Sequence, residues 1–348
     1  MKEKMIDFLL ENAGPSIQLR VHKEILGTIT PAHEKQYQEQ ILQEPIMQHI
    51  ASHQKENGWI GNGFHGSNKN AGQYDNQEVA TKYMGEKGLK NTPVLDKAIH
   101  AFQTTKLTDL CYETKGRHFD EFKIAAFGQN LIRCACIART HYDDVIDITP
   151  QIQHSLDSFR RVLEVDSILD VSRPTKKCRL FNDNERWPCK YHFGILAFTD
   201  SWKTNENIQL LSDSFKKLMR TDRPEIMNTP VACWIGYAVG PLWYLNEGFC
   251  ISSDKYDRHQ VDLEAIEWMC RCGLYKYIPQ LKQEVDYIAD HICKDGLCLI
   301  NMMNKPAFKE WGPYSGGSLE VNWKTRLRRW CDTTFRALLI LHYSEITI

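Results

Sequence analysis

The chain has no surplus of either charge. Its 43 lysines and arginines face 44 aspartates and glutamates, for a formal net charge of -1. Binding a phosphate backbone needs a basic excess on some face, so nucleic acid is not an expected partner. The longest basic cluster, Arg326 to Arg329, is broken by Leu327 and reads as a solvated helix face or a set of carboxylate partners. No stretch approaches the ~20 apolar residues of a membrane span. The opening MKEKMIDFLLENAGPS carries too many acids for a secretory leader. Strand signals are scarce. No Pro/Gly/Ser-rich linker or low-complexity run divides residues 1–348, which predicts a single domain. A G-x-S-x-G elbow, a P-loop and a dinucleotide-binding glycine turn are all missing, which argues against serine hydrolases, nucleotide hydrolases and dehydrogenases. The 12 cysteines never adopt C-x-x-C spacing. Without a leader they predict free thiols in a reducing cytoplasm, and no structural metal.

What is present is helical periodicity. Ile278, Leu281, Val285, Ile288 and Ile292 recur at steps of three and four, one apolar stripe on a helix. The stretches 95–102, 156–163 and 207–219 repeat the pattern. A second kind of helix is apolar almost all round: 122–138, 191–198 and 333–341. A one-sided stripe cannot hide such a helix, so others must enclose it. Pro188 stands just ahead of one of them, and Pro45 divides 33–54 into two helices. About a dozen segments of two kinds predict two concentric layers, hence an all-α fold of the α/α toroid type. An irregular α-superhelix is the alternative, although no regular repeat period is evident.

Several segments resemble a known superfamily. Gln54-Lys-Glu-Asn57-Gly58-Trp59 resembles the "Q…DG.W" turn of terpenoid cyclases and protein prenyltransferase β-subunits, and His291-Ile-Cys-Lys-Asp295-Gly296-Leu297 looks like a degenerate second copy. Trp330 to Leu341 is similar to the last inner helix of those enzymes. With FLLENAGPSIQLRVHKEIL, RWPCKYHFGILAFTDSWKTNENI and TTFRALLILHYSE, the chain resembles, nearly end to end, a bacterial family grouped with them by fold. The resemblance implies an α/α toroid with a central cavity, and supports a fold better than a reaction. The D-x-D-D acid motif of protonation-type cyclases has no match; His141-Tyr142-Asp143-Asp144 lacks the first carboxylate. For the zinc set of prenyltransferases, Asp295 and Cys298 stand one residue too far apart, and Asp332 falls about where a histidine belongs. Asp143-Asp144-Val-Ile-Asp147 fits D-D-x-x-D, which grips magnesium and a diphosphate in ionisation-type enzymes. Its bland reading is an acidic inter-helix loop ending at Pro150.

Candidate chemistry therefore rests on single residues. Cys134 and Cys136 lie two apart on a helix and point roughly 200° from each other, so they do not share a metal. The 9 tryptophans and 14 tyrosines concentrate in loops and at helix starts. In a toroid such positions line the cavity, where aromatic faces stabilise a cation or stack on a sugar; as plain packing they are wedges between helices. The expected catalytic residues are His65, His192 and Asp332, with Trp187, Tyr191, Trp311 and Trp323 holding a small-molecule ligand. Histidine titrates near neutrality and Asp332 is placed to orient it. The alternative is that His65 caps a helix and Asp332 pairs with Arg328 or Arg329. No cofactor is expected. Three function classes stay open: an isoprenoid-type protein, a carbohydrate-active lyase or hydrolase, and a binding module that kept the fold without the chemistry.

Overall fold

The computed structural model describes residues 1–64, 74–105, 130–174, 176, 179–182, 185, 187–219, 231–232, 259–300 and 319–345. The fold class is all-α. The helices are α1 (Lys2–Asn12), α2 (Pro15–Arg20), α3 (Pro31–Leu42), α4 (Pro45–Ser52), α5 (Gln77–Glu86), α6 (Pro93–Thr104), α7 (130–139), α8 (Thr149–Glu164), α9 (Lys190–Ala197), α10 (Asn205–Leu218), α11 (His259–Arg271), α12 (Pro279–Asp290) and α13 (Arg326–Tyr343). A π turn, Val21–Leu26, extends α2. Extended structure among the described residues is one small sheet. Ser172–Pro174 pairs antiparallel with Arg179–Phe181, which pairs parallel with Val231–Ala232. No helix among the described residues is long and apolar enough to cross a membrane.

Two kinds of helix alternate along the chain. From α4 onward every even-numbered helix is amphipathic and every odd-numbered one is buried on nearly all sides. Helix α6 buries Leu95, Ala98, Ile99 and Phe102, and α12 buries Leu281, Val285 and Ile288. Helix α9 buries everything from Tyr191 to Ala197, and α13 everything from Thr333 to Leu341. The stripes at 95–102, 156–163, 207–219 and 278–292 lie in α6, α8, α10 and α12. Of the apolar run 122–138, the part before residue 130 lies outside the described residues. Proline fixes φ and needs no donor, so it opens helices; Pro31, Pro45, Pro93, Pro150 and Pro279 each do so here. Pro45 separates α3 from α4 as its position predicts.

The chain forms two compact units. Unit 1 comprises Met1–Phe102 and Cys250–Ile348, and unit 2 comprises Gln103–Phe249. In unit 2, α8 packs on α9 and α10. The Phe215 ring lies 5.1 Å from Phe159 and 5.0 Å from Phe193. In unit 1, α13 packs on α1, α11 and α12, so the first and last described helices are neighbours. Lys2 Nζ lies 3.3 Å from His342 Nδ1 across that contact.

The two turns that look alike in sequence have one geometry. After α4, Gln54 bridges Ile60, the Lys55 N–H donates to the Trp59 carbonyl at 2.8 Å, and the Gly61 N–H donates to the His53 carbonyl at 2.9 Å. After α12, Ile292 bridges Cys298, the Cys293 N–H donates to the Leu297 carbonyl at 2.9 Å, and the Leu299 N–H donates to the His291 carbonyl at 2.8 Å. The equivalent glycines are left-handed, Gly58 at φ 86° and Gly296 at φ 85°. Each also lies against the backbone of an amphipathic helix. A Cβ on Gly58 would meet the Lys97 carbonyl oxygen of α6 at 2.1 Å, and one on Gly296 the Lys4 carbonyl carbon of α1 at 2.5 Å. Only glycine allows both the conformation and the approach. Trp59 is half-buried and packs against Phe64 and Phe102, with ring centroids 6.0 and 6.2 Å away. It is a packing wedge in this turn.

Candidate functional site

Of the seven residues expected at the site, three belong to unit 2. Trp187, Tyr191 and His192 stand at the start of α9 and are buried. The Trp187 ring stacks on Phe181 at 6.1 Å. Cys189 is the N-cap of α9, and its backbone N–H donates to His192 Nδ1 at 3.1 Å. Nδ1 is therefore an acceptor, and the neutral ring carries its hydrogen on Nε2, facing Ser158 Oγ at 3.4 Å. The Cys189 sulfur lies 3.2 Å from the same Nδ1. A thiol within reach of an imidazole, at a helix N-terminus, is the arrangement that activates a nucleophile. It is enclosed here, with Cys189 and His192 each 2% exposed. The same contacts form a capping box that fixes the first turn of α9.

Trp323 and Asp332 belong to unit 1 and touch. Asp332, in the second turn of α13, accepts hydrogen bonds from the backbone N–H groups of Leu319 (2.8 Å) and Glu320 (3.3 Å), and from the Trp323 indole N–H. Its carboxylate pins the chain that enters α13. Neither neighbouring arginine serves it: Arg328 pairs with Glu320 at 2.6 Å, and Arg329 donates to the Trp323 carbonyl at 2.7 Å. His65 and Trp311 lie outside the described residues.

Around Asp332 the structure adds residues that sequence reading did not single out. Lys87, fully buried at the end of α5, donates to Glu44 Oε2 and to the Leu319 carbonyl, both at 2.6 Å. Its ammonium also stands 5.3 Å from the Tyr83 ring centroid. The other Glu44 oxygen is buried without a hydrogen-bond partner. Burial pushes the Glu44 carboxyl up and Asp332 adds to it, outweighing the pull of Lys87. Burial also raises Asp332, against its hydrogen-bond donors and Lys87, and raises Glu320 together with the Asp332 charge. These carboxyls bind protons more tightly in the folded chain than in the unfolded one. Their favourable contribution is complete below the ordinary carboxylate value and is lost as pH rises through the raised values. Glu44→Gln is accordingly expected to flatten the fall in stability above about pH 4, with urea unfolding across the pH range as the measurement. A variant keeping the full parental slope would remove Glu44 from this account.

A second cluster in unit 1 is a closed ring of six alternating charges. Arg20 pairs with Glu24 and with Glu86 (3.4 Å), Arg271 with Glu24 (2.8 Å) and Glu267 (2.7 Å), and Arg336 with Glu267 and Glu86 (3.7 Å). Tyr343 donates to Glu24 at 3.3 Å, and Arg20 lies over the Phe335 ring at 5.0 Å. The ring joins α2 and its π turn to α5, α11 and α13. Burial alone would raise Glu24, but Arg20 and Arg271 outweigh it and hold its carboxyl well below the ordinary range. A sequence signal existed: an almost fully apolar helix that carries a charge, as TTFRALLIL carries Arg336, must supply a buried partner.

Asp143, Asp144 and Asp147 lie in a turn, and Asp147 accepts the Thr149 N–H at 2.9 Å at the start of α8. Asp295 is exposed whereas Cys298 is fully buried, its thiol pushed up to about 12 by burial. Among the described residues no group of three or more His, Cys, Asp or Glu is arranged to hold a metal. No protein-family model, curated protein or solved structure matches the chain.

Proposed function

We propose that the chain is an α/α toroid of the terpenoid-cyclase and prenyltransferase kind that binds a neutral, isoprenoid-like apolar molecule in its centre. The observation that carries this reading is the pair of turns after α4 and α12, equivalent in hydrogen bonding, in glycine conformation and in docking onto an amphipathic helix. The strict alternation of amphipathic and buried helices, and the contact of α1 with α13, support the same architecture. The chain is also asymmetric. Long stretches precede the buried helices, as from Ser52 to Gln77, Glu164 to Lys190 and Asp290 to Arg326. Short ones follow them, as from Glu86 to Pro93 and Arg271 to Pro279. In a toroid the long stretches share one end, and in repeat folds the end that carries the insertions is usually the binding face. Trp187, Tyr191, His192, Trp323 and Asp332 all stand where a buried helix begins.

Within this reading the chemistry is proton transfer on a neutral ligand, with His192 of unit 2 and Asp332 of unit 1 as the candidate groups. Metal-assisted ionisation of a diphosphate has less support, because Asp147 of the acidic string already accepts the Thr149 N–H at the start of α8. The test is a titration of the purified chain with squalene, geranylgeraniol and geranylgeranyl diphosphate, with and without magnesium, read by tryptophan fluorescence. Binding of a neutral isoprenoid without magnesium, weakened by Trp187→Ala, is the expected result. Binding of the diphosphate alone, and only with magnesium, would move the function to ionisation chemistry. Failure of all three ligands would end the isoprenoid reading.

A further inference from the structure

A groove of about 560 Å³ lies between the α2–π-turn segment and α3 in unit 1, and none of its lining residues belongs to the candidate site. Gln18 and His22 form one wall, and His33, Gln36, Tyr37 and Gln40 the other. The α3 residues recur at steps of three, one and three, so they share one helix face. None of the eight lining residues carries a formal charge, in a chain that is 25% charged. The groove is built by the same segment as the ring of charges. Residues two apart on a helix point in opposite directions. Arg20 and Glu24 accordingly enter the ring, while Gln18 and His22 face the groove. The π turn spaces these positions, and π turns are frequent at functional sites. It ends at Gly27, whose left-handed backbone (φ 62°) faces open space, with nothing within 4 Å of where a Cβ would stand.

The chemistry of the lining selects the ligand. Primary amides offer a donor and an acceptor at once, which matches vicinal hydroxyls. The Gln36 and Gln40 side chains are exposed at the rim. The His22 and Tyr37 rings, one from each wall, lie 6.0 Å apart and tilted by 32°, and give the groove aromatic surface suited to the apolar face of a pyranose. A groove without charge gains nothing from an anionic or cationic ligand, and its volume falls in the range of small-molecule sites. We propose that this groove binds a neutral oligosaccharide of about two sugar units. The groove shares no residue with the proposed central site and does not depend on the isoprenoid reading.

The test is saturation-transfer NMR and calorimetry on the full chain with cellobiose, maltose and N,N′-diacetylchitobiose as neutral probes, and digalacturonate as the charged control. At least one neutral disaccharide is expected to bind with millimolar affinity. Gln36→Ala with Gln40→Ala is expected to weaken it by about tenfold, roughly 1.4 kcal/mol, without moving the melting temperature, since both side chains are exposed. Trp187→Ala is expected to leave this binding unchanged, which separates it from the central site. Absence of binding for all three neutral probes, equal binding of digalacturonate, or binding that survives the double substitution would each overturn the proposal.

Discussion

Glu267→Gln is expected to lower the stability of the chain by roughly 3–5 kcal/mol, the scale for removing one partner from a buried ion pair. Glu267 is fully buried and answers both Arg271 and Arg336. Three arginines and three glutamates balance in the ring, so removing one carboxylate leaves an uncompensated positive charge enclosed by protein. Glutamine keeps the volume, so the loss reports the charge and not a cavity. The control is the exposed pair Lys276–Glu345, whose removal by Glu345→Gln is expected to change nothing measurable. Chemical denaturation at neutral pH compares the two. Equal effects would show that the ring is solvated and carries no special weight. The ring also sets an acid limit. Glu24 is held well below its ordinary value, so its contribution is present above that value and is lost as pH falls through the depressed one.

Asp332→Ala is expected to cost about 3–5 kcal/mol, because it orphans the Leu319 and Glu320 N–H groups and the Trp323 indole N–H at once. A buried donor left without an acceptor costs about 1–3 kcal/mol. Asp332→Asn keeps one carbonyl acceptor and relieves the crowding of Asp332 with Glu44 and Glu320, so its loss is expected to be much smaller. Thermal melting of the two variants separates these cases. If alanine is tolerated as well as asparagine, Asp332 does not pin the entry to α13. The pair also bears on function, since a well-folded Asp332→Asn chain that binds ligand normally would limit Asp332 to a structural role.

The secondary structure was legible because its signals are local. Stripes at Leu95–Phe102 or Leu281–Ile288 need only a count of three and four, and Pro45 marks a helix start by its own ring geometry. The two turns were legible for the same reason: Gly58 and Gly296 hold φ values that other residues avoid, so the glycine stays while its neighbours drift from Asn57-Gly-Trp to Asp295-Gly-Leu. The division of helices into striped and fully apolar was equally open, and it gave the all-α class.

The partners of the charged residues were not open to such reading. Glu44 lies far along the chain from Asp332, and Arg20 from Glu267 and Arg336, and nothing local says that they share a cluster. Asp332 was recognised as a residue with a task, but its task as an anchor for Leu319, Glu320 and Trp323 depends on how the chain returns to α13. His192 likewise was singled out, whereas its tautomer follows from the Cys189 backbone N–H and from Ser158 on another helix. The sequence by itself determined which segments are helices, where they start and which faces avoid water, because those depend on spacing and on single-residue conformational limits. Only the tertiary structure decided which charges meet, which carboxyls are pushed up or held down and where a groove opens. Those properties depend on burial and distance between residues remote in sequence, and electrostatic energy changes severalfold between water and a protein interior.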